Sequence, residues 1–172
     1  QEKLKIAADL VTYGKVIGGG MPVGAFGGKK EIMEHVAPLG SVYQAGTLSG
    51  NPVAMAAGLT TLSILKNQPM IYDELTEKTN VLGQGMHKVL TEKGIEHTIN
   101  QMGSMISIHF GPHKVKSFDT AAKCDIALFN KFFHHMLSHG VYLPPSAYES
   151  WFLNNALSLS DIARTIEIAG KF

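Results

Sequence analysis

One lysine has neighbours that are unusual for its type. Lys15 lies in the stretch YGKVIGGGMPVG at residues 13–24, between glycines and β-branched apolar residues. Such neighbours are typical of a segment that runs toward an interior, where desolvation favours the neutral, nucleophilic amine that Schiff-base chemistry requires. The glycines that follow allow a ligand to approach the main chain closely. The alternative is a loop lysine that extends its ammonium group into solvent.

A second glycine-rich turn carries groups that bind phosphate. The stretch YQAGTLSGNP at residues 43–52 contains Gly46 and the hydroxyl of Thr47, followed by Asn51 and Pro52. Asparagine is a favoured N-cap and proline a favoured first helical residue, so a helix is predicted to start here. Free N–H groups and a hydroxyl just ahead of a helix N-terminus are suited to holding phosphate. A capped helix start without a ligand explains the same residues.

Other site types are not supported by the spacing of the residues. Val23 stands where the GxGxxG pattern of dinucleotide-binding loops needs its third glycine, and Lys30 stands where a P-loop needs serine or threonine. His135 and His139 are four residues apart, as in zinc-binding helices, but Met136 replaces the glutamate of the HExxH pattern. We therefore expect no metal site.

Composition excludes several classes of protein. The chain has 172 residues, 45% of them hydrophobic and 17% charged, with a net charge of +1, which is typical of a globular protein and unlike a binder of nucleic acid. The single cysteine, Cys124, permits no internal disulfide and fits a reducing compartment such as the cytoplasm. No apolar run reaches the roughly 18 residues that a membrane crossing needs. Because the chain begins with Gln1 and no signal peptide, we expect it to be the middle of a longer protein.

The pattern of residues changes near position 68, which predicts two regions, residues 1–66 and 70–172. In the first, the glycines favour short buried strands and tight loops through residues 14–28, because each glycine inside a helix costs about 1 kcal/mol. The apolar periodicity and the glycine and proline stops predict the remaining elements. These are a helix near 29–36, a buried helix from Asn51-Pro52 to Leu65, a helix over 71–90, strands over 95–99 and 106–110, a helix over 126–137, a strand over 141–143, and a last helix capped by Ser158 and Asp161.

The two glycine-rich motifs resemble signatures of the class III pyridoxal-phosphate-dependent aminotransferases. Residues 10–28 are similar to the segment that carries the cofactor lysine, and residues 43–57 are similar to the second signature of that class. The tail GVYLPPSAYESWF at 140–152 is also similar to members of the family. The resemblance implies an α/β and α+β fold, the C-terminal part of a fold-type I pyridoxal-phosphate-dependent transferase. Residues 1–66 would then end the large cofactor-binding domain, and residues 70–172 would form the small C-terminal α+β domain.

The resemblance also implies roles for individual residues. Lys15 would bind pyridoxal 5′-phosphate (PLP, or PMP in its amino form) covalently and would shuttle a proton during catalysis. Gly46 and Thr47 would bind the cofactor phosphate across a homodimer interface, in the site of the partner. Glu149 lies in a segment that borders the active-site entrance in the family, although a surface glutamate is an equally good reading.

A single arginine, Arg164, narrows the activity that the resemblance implies. Members that use 2-oxoglutarate generally carry an arginine in the small domain, and Leu143-Pro144-Pro145 offers none. This favours a reaction within one substrate. For such a reaction, the resemblance implies the conversion of (S)-4-amino-5-oxopentanoate to 5-aminolevulinate for tetrapyrrole synthesis. Glutamyl-tRNA reductase would be a hand-off partner for this substrate.

Two alternatives stay open. One is an ω-aminotransferase of the same class that uses 2-oxoglutarate, and the other is a non-catalytic module that only self-associates through residues 70–172. In the family, the aspartate that pairs with the cofactor ring lies upstream of the segment that Gln1 begins. We therefore expect the chain by itself to be an inactive C-terminal fragment.

Overall fold

A computed structural model describes all 172 residues, and the chain divides into two compact units, Gln1–Gln68 and Pro69–Phe172. We call them the N-terminal unit and the C-terminal unit. The division falls between two helices, at the Asn67-Gln68-Pro69 segment.

The N-terminal unit has little regular structure before its long helix. Strands β1 and β2 pair in an antiparallel ribbon, and a 3₁₀ turn lies between them in the chain. The ribbon is followed by a single helical turn and then by a helix of 16 residues. The elements are β1 (Leu10–Tyr13), the 3₁₀ turn (Lys15–Gly18), β2 (Ala25–Gly28), α1 (Lys30–Met33) and α2 (Pro52–Asn67).

The C-terminal unit is a three-stranded antiparallel sheet packed against helices. The strand order is β3-β4-β5, and the two-residue turn Gly103-Ser104 joins the first two strands. The elements are α3 (Met70–Glu92), β3 (His97–Met102), β4 (Met105–Phe110), α4 (Phe118–Ala121), α5 (Ile126–Ser138), β5 (Trp151–Phe152) and α6 (Leu159–Gly170).

Alternation along β4 explains where the core lies. Ile106, Ile108 and Phe110 are buried, whereas the residues between them are only partly buried, as a strand with one face on a core requires. The buried face joins apolar residues of three helices in one continuous core of 15 residues. These are Leu82, Met86, Leu90, Ile106, Ile108, Phe110, Phe129, Phe132, Met136, Leu143, Trp151, Leu153, Ile162, Ile168 and Ala169.

Several predicted elements differ from the structure. The helix expected near 29–36 is only one turn, and the strand expected over 141–143 does not form. There the Val141 N–H donates to the Met136 carbonyl at 2.9 Å, which continues the C-terminal cap of α5. The helix α2 and the ribbon were expected to be buried, but most of their large apolar side chains are exposed, with Leu59 at 69%.

No helix of the chain combines the length and the apolar composition that a bilayer crossing requires.

Candidate functional site

Lys15 opens the 3₁₀ turn in a strained backbone conformation. Its φ is 55°, and Lys5 is the only other non-glycine residue with positive φ. Such a conformation costs about 1–3 kcal/mol and is concentrated at functional sites. The side chain is exposed and forms no ion pair, whereas Lys29 pairs with Asp9 at 2.6 Å. The expectation that Lys15 runs into an interior is therefore wrong for the chain as described, because no layer of these residues covers the turn.

Two glycines hold this turn against helix α2. A Cβ at Gly19 would lie 2.7 Å from the Ala57 carbonyl oxygen, and a Cβ at Gly58 would lie 2.8 Å from the Ile17 carbonyl oxygen. Real Cβ atoms do not approach backbone oxygens so closely, so both positions need glycine for packing. Gly19 also has a φ of 59°, which glycine adopts without strain. The 3₁₀ turn Lys15–Gly18, which we call the lysine turn, therefore packs against α2 through main-chain contact.

The second motif forms the turn that leads into the same helix. Asn51 is the N-cap of α2, and its Oδ1 accepts from the N–H groups of Val53 and Ala54 at 3.1 and 3.2 Å. Ahead of it, the Ser49 N–H donates to the Gly46 carbonyl at 2.9 Å, which closes a tight turn. The predicted helix start at Asn51-Pro52 is confirmed.

The donors available to an anion come from the turn and not from the helix. The backbone N–H groups of Gly46, Thr47 and Leu48 donate to no protein atom, and Thr47 is exposed. A Cβ at residue 46 would lie 2.8 Å from Ser49 Oγ, so a larger side chain would fill the concave side of the turn. These donors and the Thr47 hydroxyl suit a phosphate group. Sequence reasoning missed Leu48, because a backbone donor leaves no mark in the side-chain pattern.

Glu149 is occupied by a local turn of the C-terminal unit. Its Oε2 accepts from the Ser146 N–H at 3.0 Å, and its own N–H donates to the Ser146 carbonyl at 3.1 Å. The side chain is exposed. The geometry therefore gives this carboxylate a structural partner within its own loop.

The two histidines that the sequence places four residues apart make hydrogen bonds with protein groups. His135 bonds to the Ile168 carbonyl at 2.9 Å, and the Nδ1 of His139 lies 2.8 Å from the His135 carbonyl. No group of three or more His, Cys, Asp or Glu residues is placed to hold a metal ion. Sequence reasoning did not foresee the pair His87 and His97, whose rings bond at 2.9 Å, because they come from a helix and a strand.

The sequence matches the profile of the Aminotransferase class-III family over residues 1–166. The match covers nearly the whole chain, including both glycine-rich motifs. The chain therefore belongs to the class III aminotransferase family.

Two relatives that share one name are similar to the chain along almost its whole length. The chain is 52% identical over 171 residues to glutamate-1-semialdehyde 2,1-aminomutase of Flavobacterium psychrophilum, and 54% identical to the enzyme of the same name from Flavobacterium johnsoniae. Both matches cover 99% of this chain and 40% of the relative. The chain thus spans about two fifths of the length of the curated relatives that it matches.

Solved structures agree on the fold. An omega-transaminase from Sphaerobacter thermophilus superposes with a TM-score of 0.86 at 28% identity, covering 99% of this chain and 39% of that one. A glutamate-1-semialdehyde aminomutase from Pseudomonas aeruginosa, solved in complex with PMP, gives a TM-score of 0.79 at 20% identity over 95% of this chain and 38% of that one. The expected mixture of α/β and α+β structure, as part of a class III aminotransferase fold, is confirmed.

Proposed function

We propose that the whole protein is a PLP-dependent aminomutase that converts (S)-4-amino-5-oxopentanoate (glutamate-1-semialdehyde) to 5-aminolevulinate by moving an amino group within one substrate. The observation that carries this proposal is the identity of 52–54% to enzymes of that name, sustained over 99% of the chain. The cofactor and substrate come to this chain by that likeness.

The described residues fit the cofactor at two points. The exposed amine of Lys15, which forms no ion pair, is free to bind PLP covalently. The unpaired N–H groups at residues 46–48 and the Thr47 hydroxyl would bind the phosphate of the cofactor that the partner subunit holds. When bound, PLP supplies an electron sink that stabilises negative charge on a substrate carbon.

Lys15 has two tasks in this proposal. Its Nζ would hold the cofactor in its PLP form, and when free it would move a proton between the reacting substrate carbon and C4′ of the cofactor. The packing of the turn against α2 through Gly19 and Gly58 keeps the main chain of Lys15 in one position during both tasks.

The chain's charges favour amino exchange within one substrate. Arg164, the single arginine, is exposed on α6, and the segment Leu143–Pro145 carries no cation for a second carboxylate substrate. We also propose that Glu149 lies at the active-site entrance, where the hydrogen bond that its carboxylate accepts from Ser146 fixes the conformation of the loop. We further propose a cytoplasmic homodimer in which Thr47 serves the partner's site, with glutamyl-tRNA reductase supplying the substrate.

Covalent labelling tests the cofactor assignment. The chain is incubated with pyridoxal phosphate, reduced with borohydride, and mapped by peptide mass. We expect one mark, on Lys15, and its loss in Lys15→Ala. Lys29, which is paired with Asp9, serves as the internal control. Marks scattered over several lysines would contradict the assignment for the isolated chain.

Turnover tests the reaction. In the protein of full family length, Lys15→Ala should abolish formation of 5-aminolevulinate, whereas Lys30→Ala should leave it unchanged. Amino transfer from an amine donor to 2-oxoglutarate, without 5-aminolevulinate, would instead support the ω-aminotransferase alternative.

A further inference from the structure

A groove runs along the outer edge of the sheet in the C-terminal unit. It encloses about 750 Å³ and lies between α3 and the segment 112–116, with β3 along its floor. Asn80, Gln84 and His87 line it from α3. The side chains of Thr98 and Asn100 tie β3 to the facing segment, because they donate to the carbonyls of His113 and Val115 at 2.9 and 3.0 Å.

The open edge of β3 has unused main-chain groups. Gly111 donates to the Glu96 carbonyl at 2.8 Å, which places Glu96 in a hydrogen-bonded position of the ladder with β4. Hydrogen-bonded and outward positions alternate along an antiparallel strand. The N–H and C=O groups of His97, Ile99 and Gln101 therefore point away from β4, and none of them bonds to another part of the chain.

This strand lacks the features that usually protect a sheet edge. Exposed edges are commonly blocked by a proline, a bulge or a lysine on the strand itself. β3 is six residues long, pairs with β4 in continuous register, and contains no proline and no lysine, arginine, aspartate or glutamate. The edge is therefore competent to pair with another extended segment.

The charges that line the groove indicate which kind of extended segment could pair with β3. Lys114 and Lys116 are exposed on one wall, and no aspartate or glutamate lines the groove. Two carboxylates neighbour lining residues: the Asn80 amide donates to Glu77 Oε2 at 3.4 Å, and Glu96 directly precedes β3. The His87–His97 pair adds two imidazoles, of which His97 donates from Nδ1 to the Ile95 carbonyl at 2.7 Å.

We propose that this groove binds an extended, acidic peptide segment of a partner protein, which adds as a fourth strand beside β3. Main-chain bonds to the outward groups of His97, Ile99 and Gln101 would supply affinity. Lys114 and Lys116 would select acidic side chains. A second copy of this chain is disfavoured, because a symmetric pairing of two β3 edges would bring the same lysines together. The proposal does not depend on the reaction that the cofactor site catalyses.

Fluorescence anisotropy with defined peptides tests the proposal. The probe is a fluorescein-labelled octapeptide of alternating Glu and Val, with two matched peptides as controls. One has Lys in place of Glu, and the other is N-methylated at alternate backbone amides. We expect only the first peptide to bind. Equal binding of the Lys peptide would overturn the charge selection, and equal binding of the N-methylated peptide would overturn strand addition.

Amide hydrogen exchange by NMR reports the binding mode directly. Added peptide should slow exchange of the outward amides of His97, Ile99 and Gln101, while the inward amides of Thr98 and Asn100 change little. Protection of neither set, together with measured binding, would place the peptide elsewhere and overturn the proposal.

Charge variants provide the matched comparison. Lys114→Glu/Lys116→Glu should weaken binding about tenfold or more, since it replaces two attractive charges with two that repel an acidic peptide. Lys66→Glu/Lys131→Glu carries the same change in net charge at exposed positions outside the groove and should bind as the parent does. Equal weakening in both variants would overturn the assignment to the groove, as would a concentration-dependent dimer lost in Gln101→Pro.

Discussion

The two units of this chain contrast in how they bury apolar surface. The C-terminal unit encloses a core of 15 residues, including aromatic and long aliphatic side chains. The N-terminal unit buries only Gly18, Ala54 and Gly58, and it leaves large apolar side chains such as Leu59 exposed. The unit that carries both family motifs therefore has almost no core of its own, while the unit with the core carries neither.

This difference separates two ways of positioning a residue. In the C-terminal unit, side chains are held by a close-packed interior, where even small volume changes affect stability. In the N-terminal unit, Lys15 is held by close main-chain contact between glycines and one helix. Substitutions should therefore act globally in one unit and locally in the other.

The largest expected effect comes from emptying the core. Phe132 is fully buried, with its ring centroid 5.3 Å from those of both Phe110 and Phe172. Phe132→Ala should lower the free energy of unfolding by about 3–5 kcal/mol, as measured by urea denaturation. Leu59→Ala, at a side chain 69% exposed, should change it by less than about 0.5 kcal/mol. Equal losses would refute the contrast between the units.

The next effect lies in the lysine turn. Gly19→Ala adds both an unfavourable φ and a clash with the Ala57 carbonyl, whereas Gly20→Ala, with φ of 92° and open space around it, adds only the unfavourable φ. We expect losses of roughly 2–3 kcal/mol and about 1 kcal/mol in local stability. Hydrogen exchange of the residue-19 amide, which donates to Val16, measures both. Similar losses would show that the contact with α2 contributes little.

The two units each have a helix that begins with a side-chain cap. Asn51 caps α2 in the N-terminal unit, and Ser158 caps α6 in the C-terminal unit within a capping box with Asp161. Each change to alanine should cost about 1 kcal/mol. Ser158→Ala should shift global urea unfolding, whereas Asn51→Ala should appear only as faster exchange at the start of α2. Asn51→Asp retains the acceptor and is the matched control.

The smallest effect depends on pH. His109 is half-buried on β4, and burial lowers its pKa below the ordinary value of 6.5. The unfolded chain therefore binds more protons between that value and the lowered one, so stability is full above about pH 6.5 and falls as the pH decreases. His109→Gln should flatten the stability profile from pH 7 to 5, and His134→Gln, at an exposed site, should not. An unchanged profile in His109→Gln would show that other groups cause the loss of stability at acidic pH.

Elements of the C-terminal unit were largely predictable, because their apolar periodicity faces a core within the same unit. The helices over 71–90 and 126–137 and the capping box at Ser158 are confirmed with shifts of one or two residues. The two-residue strand β5 and the single-turn helix α4 were missed, since neither is long enough to show a period.

The site was predictable in residue identity and less so in geometry. Lys15, Gly46 and Thr47 stand out because glycines surround them, and their roles stay predictions until tested. The exposure of Lys15 and α2 could not be predicted from the sequence. An apolar pattern predicts that a surface is buried, but it does not show which residues bury it. Likewise, Asn51 takes the first donors of α2, a detail that depends on the rotamer of one side chain.

The N-cap Asn51 and Gly58, which packs against the Ile17 carbonyl, are seven residues apart along α2. This spacing determines what an insertion in the helix would do. Seven residues make about two helical turns, so both features lie on one side of α2, about 10 Å apart. Helix α2 thus fixes the distance and the rotation between the turn at residues 46–49 and the 3₁₀ turn that begins at Lys15. Inserting a single residue between them would rotate one against the other by about 100°, so the two motifs tolerate substitution between them far better than insertion.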